Sequence, residues 1–443
     1  MTRSTKASAF GLLLWLGAVP ASAQETLTLE TAIQEALAHN ASLRAVRAGA
    51  AEAAEHVSEA HAGWLPRVSF TESWQRSDQP VFVFSSLLAS RTFTAANFAI
   101  DALNDPGPIG FFRSSIGVEQ LIFDGGRQRS LIQSARLRGE TTKLAVDEAA
   151  AALVSAAAKT YGRILTAEAG TRAARAALQS VQEDAARAER RRDAGMATDA
   201  DVLALAAQVA MLRQREIDNQ ADADVARAEL NRLTGSPIDR TYQVSEPPQS
   251  PELSGMNLSA VLAEADANRP EVKRVVAAIK LAESERKGVR AALIPQVAAQ
   301  AALDMSGTTF NGREPSWIVG GELRWNLSLG GAELARSRAA TQAQVRAAAE
   351  ADDIRASVHV EVVTAFRRLE AARARQAVGL TAVNQARERQ RIVRDRFDVG
   401  MAGVTDILQA SSALTDAEAQ RVAAIVDATT SEALLRRAIG RQP

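Results

Sequence analysis

The chain has 443 residues, 47% hydrophobic but only 4% aromatic, and its 52 Lys and Arg equal its 52 Asp and Glu. That balance leaves no basic field for nucleic acid and no acidic tail. The absence of cysteine excludes disulfides, thiolate metal sites, a cysteine nucleophile and a lipidated N-terminal cysteine.

Residues 1–23 read as an export signal, with Arg3 and Lys6 before an apolar run from Ala9 to Val19 and a small-residue cleavage site at Ala21-Ser22-Ala23. The run is shorter than the roughly 20 residues of a membrane-spanning helix. No later stretch is long enough, so an exported chain that enters a membrane must do so by strands. A helix is expected over 41–65. Alternation follows, with Val68, Phe70 and Trp74 against Arg67, Ser69, Thr71, Ser73 and Gln75, and with Glu72 misplaced on the apolar side. Ile116, Val118 and Ile122 form a weaker second strand. The connection between them, 77–112, is rich in Phe, Val, Leu, Asn and Pro. Connections of that length are uncommon without a function, and this one is expected to fold over the mouth of whatever the strands build.

Gly125-Gly126-Arg127 lies where a strand must turn sharply into a helix, and glycine permits the dihedrals required. It lacks the Lys-Ser/Thr of a phosphate loop and the spacing of a dinucleotide site. No proline occurs from 109 to 236. One helix is predicted over 125–192, roughly 100 Å long at about 1.5 Å per residue. A turn at 193–197 and a second helix over 196–234 follow.

The glycine- and proline-bearing segment 236–255 then links to a second copy. Residues 27–70 lie on 256–299 without a gap, and 123–235 lie on 328–440. The expected division is therefore an export signal (1–23), a first repeat (24–235), a linker (236–255) and a second repeat (256–443). The second copy predicts helices over 270–294, 331–398 and 401–439. Its strands set Val297, Ala299, Ala301, Leu303 and Met305 on one face, then Trp317, Val319, Gly321, Leu323, Trp325 and Leu327. Val358, Val362, Phe366 and Leu369 form a narrow seam of coiled-coil type, matched by Leu153, Tyr161 and Ile164 in the first copy. A duplicated unit buries its apolar face on its own copy or on other subunits.

Period-2 patterning over about ten residues with tryptophan at the ends is the pattern of outer-membrane barrel strands. Four strands cannot close a barrel, and open edges in lipid leave backbone groups unpaired at several kcal/mol each. The strands must be shared, so a homo-oligomer is expected.

Three features together resemble the TolC-like outer-membrane efflux proteins over essentially the whole mature chain. They are the repeat, the junctions Leu121-Ile122-Phe123-Asp124-Gly125-Gly126-Arg127 and Leu327-Ser328-Leu329-Gly330-Gly331, and the two tips. The tips read Asp193-Ala194-Gly195-Met196-Ala197-Thr198-Asp199-Ala200-Asp201 and Phe397-Asp398-Val399-Gly400-Met401-Ala402-Gly403-Val404-Thr405-Asp406. The resemblance implies a mainly α fold with membrane β. Long antiparallel helices form an α-helical barrel in the periplasm, and four strands per chain complete a trimeric 12-stranded barrel in the outer membrane of a Gram-negative cell. It implies a passive channel of a tripartite efflux or type I secretion system, fed by a periplasmic adaptor and an inner-membrane pump of RND or ABC type.

Gly125, Gly126, Gly330 and Gly331 then read as strand–helix hinges. Gly195, Met196, Gly400 and Met401 read as tip turns for adaptor docking. Asp201 and Asp406 stand at helix N-termini, where the helix dipole favours acids and where Thr198 and Thr405 are expected as caps. The resemblance adds a gate. In the family an Asp at the place of Asp201 is held by a Tyr and an Arg of the second copy, and those positions are Phe397 and Ala402 here. The polar lock is not reproduced, and packing of Phe397 is expected in its place. Asp406 matches the first acid of the family's constriction ring, and Gln409 stands at the second.

The four histidines, His39, His56, His61 and His359, show no metal-ligand spacing. No nucleophile motif appears, so neither catalysis nor a cofactor is implied. The competing reading is a periplasmic coiled-coil scaffold or adaptor with a small soluble sheet. It differs in needing no detergent for extraction.

Overall fold

The computed structural model of the chain describes residues 26–245, 255–326 and 329–441. The expected export signal lies outside the described residues, as do 246–254 of the expected linker and Leu327 and Ser328 of the second junction. The elements are β1 (Thr26–Leu27), α1 (Leu29–His39), α2 (Ala41–Ala62), β2 (Arg67–Ser77), α3 (Pro80–Ala89), α4 (Ile100–Asn104), β3 (Ile109–Phe123), α5 (Arg127–Asp193) and α6 (Asp199–Thr234). They continue with β4 (Gln243–Val244), α7 (Leu258–Asn268), α8 (Pro270–Ala291), β5 (Gln296–Gly307), β6 (Glu314–Arg324), α9 (Ala332–Asp398) and α10 (Val404–Ala438).

The two proline-free stretches form α5 and α9, unbroken helices of 67 residues each. Abundant alanine keeps their intrinsic helix propensity high. The expected helix over 41–65 ends at Ala62, and that over 270–294 ends at Ala291. Each is preceded by a separate short helix, α1 or α7, that the alternation and seam patterns did not reveal. Asn40 breaks the first pair by capping α2, its side chain accepting from the Leu43 N–H at 3.0 Å. Arg269 and Pro270 break the second, because the residue before proline is driven away from helical dihedrals.

The chain divides into two compact units, each drawing on both sequence copies. One comprises Met1–Ala38, Ala157–Gln249 and Ala382–Val426. One core of this unit joins Leu27, Ala32, Ala157, Tyr161, Ile164 and Leu230. At its heart Tyr161 is fully buried. Its hydroxyl donates to the Ser245 carbonyl at 2.7 Å, accepts the Ser245 N–H at 3.0 Å and lies 2.9 Å from the Leu27 carbonyl. It thereby ties together β1 and β4, which pair in parallel as Thr26 with Gln243 and Leu27 with Val244. Part of the expected linker is thus a strand held by an aromatic side chain. Burial raises the Tyr161 phenol above its ordinary value and pushes the neighbouring Tyr242 up to about 12.

The other unit comprises His39–Ala156, Ser250–Thr381 and Asp427–Pro443. The expected seam is its core: Val358, Val362, Phe366 and Leu369 are buried against Val261, Val272, Leu435 and Ile439. This unit holds the four-stranded sheet, an antiparallel meander in the order β2-β3-β5-β6. All four strands are longer than or offset from the expected segments. β3 begins seven residues before Ile116, and β6 ends at Arg324, leaving Trp325 just beyond it. The long connection is not featureless: it folds as α3, a 3-10 turn at Ala95–Phe98 and α4. Its edge-to-face aromatic contacts, Phe84 with Phe93 and Phe93 with Phe98, explain its composition.

Tyr161→Phe should remove the clamp without a cavity and cost about 1–3 kcal/mol locally for the carbonyl and N–H left unpaired. Hydrogen exchange should accelerate at Leu27 and at 243–245 and stay unchanged in β3 and β5. Unchanged exchange at 243–245 would remove the role assigned to the hydroxyl.

Candidate functional site

The register places the expected apolar sets of the four strands on one face, apart from Ile122, which falls at an irregularity in the β3–β5 pairing, and Trp325, which lies beyond β6. Leu327 lies outside the described residues. Val68 opposes Val118 and Phe70 opposes Ile116 across the first pair. Ile116 opposes Leu303, and Leu303 opposes Trp317, across the next two. These side chains face no protein: Val68 is 67% exposed, Phe70 68%, Trp317 78% and Val319 69%. Trp74 and Trp317 sit toward the hairpin end of the sheet. Trp325 sits at the opposite end, where its indole N–H donates to the Leu293 carbonyl at 3.2 Å. The 11 residues of β2 at about 3.3 Å each and about 45° of tilt give a band roughly 25 Å tall, the height of an outer-membrane apolar belt.

Glu72, the misplaced acid, is neutralised. Both its oxygens lie 3.2 Å from the Arg313 guanidinium, and it accepts from the Ser114 hydroxyl. Arg313 in turn lies 4.0 Å over the Phe310 ring. The reverse face carries Arg67, Ser69, Thr71 and Ser73, with Arg113 paired to Asp304 at 2.8 Å. The sheet is thus apolar on one side and polar on the other, and among the described residues the outer edges of β2 and β6 have no strand partner.

At the junction from β3 into α5, Gly125 and Gly126 take φ of 66° and 88°. A Cβ on Gly125 would stand 2.8 Å from that of Ile294, so both dihedral and space require glycine. Asp124 starts α5 by accepting from the Gly126 and Gln128 N–H groups. At the equivalent junction of the second copy Gly331 has a positive φ, 69°, whereas Gly330, beside it in the turn, does not.

Both tips lie in the unit that holds Tyr161. Gly195 and Gly400 are left-handed at φ of 73° and 81°. The Met196 N–H reaches back to the Arg191 carbonyl at 2.7 Å, and the Met401 N–H to that of Arg396 at 2.8 Å, so each long helix ends in a Schellman-type turn. Met196 and Met401 project outward, 64% and 68% exposed. Asp201 and Thr198 form a capping box: the carboxylate accepts the Thr198 N–H at 2.9 Å and its hydroxyl at 2.8 Å, while Thr198 Oγ1 accepts the Asp201 N–H. The Thr198 N–H first, then the hydroxyl, hold the Asp201 carboxyl below its ordinary value of 3.8. Thr405 is not the second cap, which is a correction. The cap position of α10 falls on Gly403, whose N–H donates to Asp406 at 3.0 Å. Glycine offers no side-chain acceptor, so only half of the box survives. Asp406 and Gln409 are exposed.

Phe397 is buried among Val181, Leu205, Val404 and Ile407. Arg191 lies 4.7 Å over its ring and donates to its carbonyl. Two turns back along α5 from Arg191, the Asp184 carboxylate is sealed from solvent between Arg187 at 3.0 Å and Arg394 at 3.1 Å. Arg394 also donates to Ser180. These contacts join α5 of the first copy to α9 of the second, and the sequence reading missed them. One signal was present: the equivalents of Asp184 and Arg394 in the other copy are Arg389 and Glu189, of reversed charge.

Two of the four histidines serve surface pairs, His56 with Glu59 and His359 with Asp266, both at 2.9 Å. Among the described residues no group of three or more His, Cys, Asp or Glu could hold a metal. No described helix is long and apolar enough to cross a membrane.

The family model described as outer membrane efflux protein matches residues 32–236 and 261–441. The chain is 25% identical over 389 residues to the alkaline protease secretion protein AprF of Pseudomonas aeruginosa, covering 85% of this chain and 76% of that one. It is 27% identical over 433 residues to the outer membrane efflux protein BepC of Brucella suis, covering 95% and 86%. Among solved structures it resembles the outer membrane protein VceC of Vibrio cholerae, with TM-score 0.79 and 19% identity over 93% of this chain and 96% of that one. It also resembles the CmeC outer membrane channel of Campylobacter jejuni, with TM-score 0.80 and 15% identity over 93% and 85%. Channels of this family sit in the outer membrane and work with adaptor and pump partners. A one-sided sheet, paired long helices and a matching family model over most of the length lead to one conclusion: the chain belongs to the outer membrane efflux protein family, with the TolC-like channel fold.

Proposed function

We propose that three copies of this chain assemble into one outer-membrane duct, closing a 12-stranded barrel and continuing it as a helical barrel in the periplasm. One observation carries this: a sheet with an exposed apolar face, a polar face and two unpartnered edges cannot exist alone in lipid. The repeats 24–235 and 256–443, joined by 236–255 and preceded by a cleaved 1–23, each supply two strands and one tip. The Gly195-Met196 and Gly400-Met401 turns offer exposed apolar side chains to a periplasmic adaptor, behind which an RND or ABC pump supplies energy. The chain itself catalyses nothing. Similarity to a protease secretion protein and to efflux proteins supports a duct serving type I secretion or tripartite efflux.

The closed end is held within each protomer by two contacts between the copies, Arg191 on Phe397 and Arg394 on Asp184. They take the place of the family's Tyr and Arg lock, and Asp201 is left to start its own helix. Three copies of Asp406 would set a cation-attracting ring at the constriction, with Gln409 one turn farther along α10.

Leu323→Arg, on the lipid face, should cost about 2–4 kcal/mol near midplane and deplete trimers from the outer-membrane fraction. Normal insertion would overturn the strand assignment. Arg394→Ala should leave trimers intact and weaken tip closure by about 1.5–3 kcal/mol. Planar-bilayer recordings should then show longer or larger openings, and recordings identical to wild type would remove the latch. Asp201 has a lowered folded-state value, so its capping contribution is complete above its ordinary 3.8 and is lost as pH falls through the lowered value. Exchange at 198–202 should therefore stay slow down to that range and accelerate below it, and Thr198→Ala should move the transition upward.

A further inference from the structure

Helix α3 lies on the polar face of the sheet. Phe82 packs edge-on against Phe111, with ring centroids 6.2 Å apart. Phe111 opposes Gln75 and shares the face of Arg113. Arg91, just past the helix, donates to the Pro315 carbonyl at 3.1 Å and lies 3.6 Å from Glu314. It holds a φ of 54°, unusual for a residue with a side chain. The anchorage is therefore specific, and it fixes α3 over the hairpin end of β5 and β6. No charged residue occurs from Gln79 to Ser90. Val83, Ser86 and Ser90 are buried beneath the helix, whereas Val81 and Leu88, seven residues apart on the opposite face, are 75% and 50% exposed. Ile100 on α4 is 74% exposed.

An uncharged helix with valine and leucine outward is out of place on a wet surface. Lipid cannot cover it, because the lipid face of the sheet is the reverse one. Other copies must meet β2 and β6 at the sheet's edges, and in a closed barrel the polar face encloses the space into which Val81 and Leu88 point.

We propose that the α3 segments of three copies meet one another there through Val81 and Leu88, forming an apolar constriction at the outer mouth of the duct. This inference rests on the trimeric-duct reading above. It gives the barrel mouth a constriction of its own. Large solutes in the medium are then excluded even while the tips are open.

The chain lacks cysteine, so single substitutions report cleanly. In intact cells carrying the full-length protein, Thr71→Cys on the polar face is exposed to a small maleimide and, separately, to a maleimide on a polyethylene glycol of several kilodaltons. Small-reagent labelling is expected, with the large reagent slower by about tenfold or more, and Val81→Asp with Leu88→Asp should abolish that difference. A second variant, Leu88→Cys, changes little and should give a covalent dimer of chains on mild oxidation, while His56→Cys on exposed α2 should not. Failure of even the small reagent, in correctly assembled trimers, would sink the duct reading. Equal labelling by both reagents without the Asp substitutions, with no Leu88→Cys dimer, would overturn the outer constriction and leave the duct standing.

Discussion

Everything in this molecule follows from how backbone polar groups at the edges of a sheet are satisfied inside lipid. β3 and β5 are paired on both sides, while among the described residues no strand pairs with the outer edges of β2 and β6. In hydrocarbon unpaired backbone groups cost several kcal/mol each, and that cost is what the proposed trimer removes. The same constraint accounts for the composition. A barrel needs few apolar residues per strand because only alternate side chains meet lipid. The long helices α5, α6, α9 and α10 are rich in alanine and charge, in keeping with a mean hydropathy of −0.11 and an aromatic content of 4%.

Duplication supplies the skeleton, and divergence between the copies supplies what symmetry cannot. Tyr161 and Phe366 occupy equivalent seam positions, and only the tyrosine has two strands to clamp. Asn40 caps α2, whereas its counterpart Arg269 is buried, bonding Glu271 at 3.0 Å and Glu361 and so tying α8 to α9. Thr198 completes a capping box that Gly403 can only half repeat. Asp184 and Arg394 have counterparts of reversed charge, and that reversal lets one copy grip the other at the tip.

What could be read from the sequence was whatever depends on period and on breakers. Proline-free stretches gave α5 and α9, alternation gave the four strands and their shared apolar face, and the narrow seam gave the core at Val362 and Phe366. Glycines fixed the tip turns because a left-handed residue ends each long helix. What stayed hidden depends on contacts distant in sequence. The two-residue strands β1 and β4 have no pattern of their own and exist because Tyr161 bonds both. Helix α3 shows no amphipathic period because apolar residues lie on both its faces, with Phe82 and Phe84 packing on Phe111 and Phe93 outside it. The Asp184–Arg394 pair looks, in sequence, like any solvated charge on a polar helix. Thr405 misled because a threonine beside a helix start suggests a cap, whereas the backbone places Gly403 there.

The most direct measurement is amide hydrogen exchange along the four strands in detergent-solubilised protein, with the particle mass determined on the same sample. The account predicts a mass of three chains and amides of β2 and β6 protected as strongly as those of β3 and β5. A stable single-chain particle whose β2 and β6 amides exchange freely while β3 and β5 remain protected would contradict it.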